Sequence, residues 1–162
     1  MGFNTGLSTA DTAEISKQIA AATGWLRQGR NAQAFALLSG PGMEKDPAAV
    51  FALGLCCLRA DDPSSALSHF ERALHLVKSL APSPQAETGN AAYLKLYADQ
   101  ITEAVFLTPM DADFYGRFPK AAEQTVLLAM IHTCRLMGKD DQARRLAAGL
   151  AGPEFEAYKN KL

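Results

Sequence analysis

Two Asp-Pro pairs, Asp46-Pro47 and Asp62-Pro63, constrain this chain more tightly than any other feature. Asp at a helix start accepts from free backbone amides, and Pro fits the first turn, where no donor is needed. Each pair therefore opens a helix, so residues 46–80 read as two helices in succession. Leu53, Gly54 and Cys57 share one face of the first, and Ala66, Phe70 and Ala73 share one face of the second. Small residues on both faces let the helices approach closely while the large ones fill the gap. Gly54 should touch the second helix, and Ala66 should face the same narrow gap.

The pattern recurs along the chain. Trp25, Gly29, Ala34 and Leu38 each stand 32 residues before Cys57, Asp61, Ala66 and Phe70. Gly138 and Ala143 keep the separation of Gly29 and Ala34, although Ala143 lies 77 residues after Ala66. Ile15, Ile19, Ala22 and Leu26 give a first helix that begins near Asp11, with Glu14 completing a capping-box arrangement. Gly29 ends that helix, and Asn31 to Leu38 forms a short partner stopped by Ser39-Gly40-Pro41.

The order Val50-x2-Leu53-Gly54-x2-Cys57 followed by Ala66-x3-Phe70-x2-Ala73 resembles the tetratricopeptide repeat. The resemblance implies an all-α fold in one domain, residues 1–162, of antiparallel helical hairpins stacked as a short right-handed array. Its units fall at about 11–40, 46–80 and 119–150, and three such units can bury a continuous core. Between them, residues 84–118 form an irregular helical insertion that has no counterpart in the family. Gln85 to Leu107 reads as one long helix without a break, ended by Thr108-Pro109, and the aromatic linker MDADFYGRF is expected to pack on the body. Pro119 starts another long helix that runs to Met137-Gly138. A capping helix over 153–161 closes the stack with Phe155 and Tyr158.

Composition excludes several classes of function. A net charge of −1 lacks the basic stripe a nucleic-acid binder needs. No apolar run reaches the ~20 residues that span a bilayer. The first residues, MGFNTGLSTADTAE, have neither the basic nor the apolar region of a signal peptide, so the expected location is cytoplasmic. Cys56 and Cys57 diverge by about 100° on a helix, and Cys57 and Cys134 stand at apolar positions, so the thiols read as packing residues. His69 and His75 lie on different helix faces, and His132 has no cysteine or acid in ligand register; no metal or cofactor is expected. Asp61-Asp62 and Asp140-Asp141 precede helices whose positive ends account for them. With no phosphate-binding loop, dinucleotide fingerprint or nucleophile motif, the chain is not read as an enzyme.

The resemblance implies a protein-interaction module that holds an extended or helical segment of a protein partner on its concave face. Mapping the family's first helices onto this sequence puts Arg27, Phe51, Leu55, Arg59, His132 and Arg135 on that face. Arg27 and Arg59 share the 32-residue offset and could grip one acidic segment together, whereas Arg135 stands one residue out of line. The alternative occupant of the face is the chain's own 84–107 helix, which would make Phe51 and Leu55 ordinary core. A second functional reading is a secretion chaperone similar to the type III translocator chaperones, holding a hydrophobic client. A homodimer stays open.

Overall fold

The computed structural model describes residues 9–80, 93, 95–97 and 99–162, and among these there are helices and turns and no strand. The fold is all-α. Helix α1 spans Thr9–Arg27, α2 Asn31–Leu38, α3 Pro47–Arg59 and α4 Pro63–Ser79, with a 3-10 turn at Met43–Lys45 between α2 and α3. Then come α5, Glu103–Phe106; α6, Phe114–Arg117; α7, Pro119–Leu136; and α8, Asp140–Ala147. A 3-10 turn, Pro153–Phe155, leads into α9, Glu156–Lys159.

Both Asp-Pro pairs act as their chemistry demands. Asp46 Oδ1 accepts from the Ala48 and Ala49 amides at 2.9 and 3.0 Å, and Asp62 accepts from the Ser65 amide at 3.0 Å. Between the helices they open, the Phe70 ring occupies the place where Gly54 has no side chain, and a Cβ there would collide with it. The Phe51 ring packs on Phe70 with centroids 5.2 Å apart. Ala66 is fully buried, as the close approach requires.

The turns that join α1 to α2, α3 to α4 and α7 to α8 share one geometry. Gly29, Asp61 and Gly138 take left-handed backbone angles, φ +76°, +60° and +69°. The next amide in each case reaches back five residues: Arg30 to the Trp25 carbonyl at 2.9 Å, Asp62 to Cys57 at 3.0 Å, Lys139 to Cys134 at 2.8 Å. In each turn this bond satisfies a carbonyl that the helix end would otherwise leave free. The small residue four positions on from each amide, Ala34, Ala66 or Ala143, is buried.

Two helices are central. Every residue of α3 from Pro47 to Cys57 is buried, and the helix packs on α4, α2, α1 and α6. Helix α7 is buried along most of its length against α4, α8, α6 and α5. Helix α4 lies between α3 and α7 and joins the two halves into one core. The cysteines belong to that core: all three are buried and free.

Two expectations are corrected. Asp11 does not open the first helix; it already lies in the helix whose first described residue is Thr9, where its carboxylate still meets the positive helix end. The continuous helix expected over 85–107 is interrupted. Gln100 forms a turn, Ile101 and Thr102 leave the helix, and a new helix begins at Glu103. Thr102 is extended, φ −139° and ψ 160°, and the Val105 amide bonds its carbonyl. The break lets Phe106 turn inward and become buried. The rest of that expectation, residues 81–92, 94 and 98, lies outside the described residues. The aromatic linker packs on the body: Met110 is buried, and Phe114 and Phe118 join an aromatic cluster with Tyr93.

Candidate functional site

The six residues mapped to a partner-binding face fall into three environments. Phe51 and Leu55 are fully buried, so their assignment to an open surface is corrected: the helix that carries them is enclosed on all sides. Thr23 on α1 is equally buried, and its hydroxyl has no hydrogen-bond partner among the described residues. Arg27 is half-exposed at the end of α1 and pairs with Asp111 at 3.1 Å. Arg59, exposed at the end of α3, bends back toward α1: its Nη1 donates to the Leu26 carbonyl at 2.6 Å and to Asn31 Oδ1 at 3.0 Å. It thereby staples the end of α3 to the α1–α2 turn. Arg27 and Arg59 are each engaged within the chain, with different partners.

His132 and Arg135 come together on the other side of the core. They line an open cleft of about 320 Å³ with Glu103, Leu136 and Asp140. Glu103 reaches His132 Nδ1 at 3.3 Å, and the His132 ring meets Phe106 edge-on with centroids 5.9 Å apart. Arg135 lies near Tyr158, whose phenol burial pushes upward and the arginine charge partly pulls back.

A single internal segment links these environments. From Glu103 to Phe118 it offers a carboxylate to His132 and another to Arg27, and buries Phe106 and Met110 between them. Its third tie is Tyr115, whose hydroxyl donates to Asp46 Oδ2 at 2.8 Å. Burial, reinforced by the Asp46 charge, holds the Tyr115 phenol well above its ordinary pKa. Asp46 therefore uses one oxygen to start α3 and the other to hold this segment.

The sequence reading missed a second feature. An open, largely apolar cleft of about 670 Å³ lies between the first turns of α2 and α4, floored by the end of α3. Its floor is made of small side chains, Cys56, Cys57 and Ala60, and its rim carries Phe35, Asp62 and His69. Burial, with the neighbouring Cys57 second, raises the Cys56 thiol to about 11, so it is no nucleophile near neutral pH. Burial likewise lowers the pKa of His69, with the Arg72 charge adding to the shift. One signal was available in the sequence. Phe35 follows Ala34, the buried small residue of its helix, and so had to point away from the core.

Among the described residues no group of three His, Cys, Asp or Glu side chains is placed to hold a metal ion, and no described helix is long and apolar enough to cross a membrane. No protein-family model, curated protein or solved structure matches this chain.

Proposed function

We propose that the chain is a non-enzymatic protein-interaction module of tetratricopeptide-like design, and that its partner is a cytoplasmic protein offering an acidic and aromatic segment. The recurring left-handed turns at Gly29, Asp61 and Gly138, each followed by a buried alanine, support the repeat-like design. One observation carries the functional reading. Residues 103–118 already lie on Arg27 and His132 with the chemistry a partner would use, a carboxylate on each basic side chain and buried apolar side chains between. Both contacts have one strongly exposed acid, 66% for Asp111 and 71% for Glu103, so each is weak and exchangeable in salt water. A partner segment with the same pattern would compete with the chain's own.

The test is capture of partner protein from native lysate by the tagged chain. Asp111→Asn frees Arg27 and should raise capture; Arg27→Glu should lower it. Arg144→Glu, on α8 and paired locally with Asp141, should leave it unchanged. Identical capture by all three variants would overturn the reading.

A further inference from the structure

The cleft between α2 and α4 takes no part in the contacts of residues 103–118, and none of those residues lines it. Its walls are the first turns of two helices that start side by side, both leaving from beside the end of α3. The walls are related by the 32-residue offset, yet their first residues carry opposite charge: Arg30 precedes α2, and Asp62 precedes α4. Both are exposed. Arg30 makes no ion pair among the described residues and rests over the Trp25 ring, 5.5 Å from its centroid. Phe35, one turn further along α2, is 45% exposed on the cleft edge.

We propose that this face binds a second copy of the chain. Consider a two-fold axis along the cleft, parallel to α2 and α4. It lays α2 of each copy over α4 of the other at the same height. Arg30 of one copy then meets Asp62 of its partner, and the pairing occurs twice, as an isologous interface requires. The two Phe35 rings enter the shared cleft from opposite edges and cover Cys56, Cys57 and Ala60, whose small side chains leave room for them. A two-fold axis across the helices would set α2 against α2 and bring Arg30 away from Asp62, so the charges select the first arrangement. An exposed aromatic at an apolar cleft, with Asp62 on its rim and Arg30 at the helix start next to it, has the anatomy of an interaction hot spot. The interface is independent of the partner site proposed above.

Sedimentation equilibrium of the whole chain tests this. The unmodified chain should dimerise reversibly. Phe35→Asp should weaken the dimer about a hundredfold or more, because it buries two unpaired charges in the shared cleft. Phe35 is a surface residue, so circular dichroism should show the variant folded. Arg30→Asp alone should oppose acid to acid at two places and weaken association about tenfold; Asp62→Arg alone should do the same with two arginines. Mixing these two variants should restore association, since every contact in the mixed dimer then pairs opposite charges. A chain that stays monomeric at every concentration overturns the proposal. So does a dimer that Phe35→Asp leaves intact, or a mixture no tighter than either variant alone.

Discussion

Residues 46–80 and residues 99–118 are both helical, yet they are held in opposite ways. The first region supports itself: two carboxylate caps, a left-handed turn and a glycine–phenylalanine contact all join residues within it. The second contains two four-residue helices, too short to be stable by themselves. Its order comes from long-range ties, Glu103 to His132, Asp111 to Arg27 and Tyr115 to Asp46, and from burying Phe106 and Met110. The contrast teaches that a self-supporting scaffold can carry a segment whose conformation is borrowed. On the proposed reading, the borrowed segment is the part that a partner would exchange.

The largest expected effect lies inside the scaffold. Phe70 is fully buried and fills the space that Gly54 leaves open beside Phe51. Phe70→Ala removes the ring and leaves a cavity between α3 and α4, which should cost about 3–5 kcal/mol. Because α4 also packs on α7, the loss should appear as one cooperative shift of the whole melting transition. A variant that melts in two steps would show that the halves flanking α4 are separately stable.

A smaller effect should separate the borrowed segment from the scaffold. Tyr115→Phe deletes the hydroxyl that Asp46 Oδ2 accepts from, while Oδ1 keeps its bonds to Ala48 and Ala49. The expected loss is about 1–2 kcal/mol, as for a hydrogen bond to a charged group. Hydrogen exchange should accelerate in residues 103–118 before it does in α3. The same residue gives a pH signature. Its phenol is held above the ordinary value by burial first and by Asp46 second, so the folded state keeps a proton that the unfolded chain releases. The sign is therefore destabilising with rising pH: the contribution is complete below the ordinary phenol pKa near 10 and is lost as pH climbs beyond it. Tyr115→Phe should flatten that alkaline limb relative to the unmodified chain. An unchanged limb would remove Tyr115 from the account.

The same division decides what could be read in the sequence. The caps at Asp46 and Asp62, the Gly54 contact and the register of Ala66 were legible because each depends on residues a few positions apart. Gly29 and Gly138 were legible for the same reason. The break at Thr102 was not, since nothing local forbids a helix there and the stabilisation comes from burying Phe106 against α7. The anchoring of Arg59 was not legible, because its partner is a backbone carbonyl, Leu26, and any residue could have supplied one. The Arg27–Asp111 pair spans 84 residues and depends on how the linker folds back. The repeat pattern put Phe51 and Leu55 on a groove and left open whether residues 84–107 fill it, because the burial of a whole helix depends on neighbours that the pattern does not contain. The cleft beside Phe35 arises only when α2 and α4 are side by side.

The smallest effect should be a gain, and it sharpens the comparison at the one turn where the scaffold departs from its own rule. Gly29 and Gly138 meet left-handed backbone without a Cβ, whereas Asp61 takes φ +60° with one. Asp tolerates this region better than most residues, though still at some steric cost. Asp61→Gly relieves that cost and adds unfolded-state freedom, two terms of opposite sign that nearly cancel. The expected outcome is a stabilisation of a few tenths of a kcal/mol. Asp61→Val should instead destabilise by about 1–2 kcal/mol, since a β-branched side chain fits left-handed backbone poorly. Asp62 stays in place in both variants, so its cap to Ser65 is a constant background. Both changes should move the global melt and leave exchange in residues 103–118 tracking it. If Asp61→Gly loosened that segment selectively, the scaffold and the borrowed segment would be coupled through this turn, and the division between them would fail.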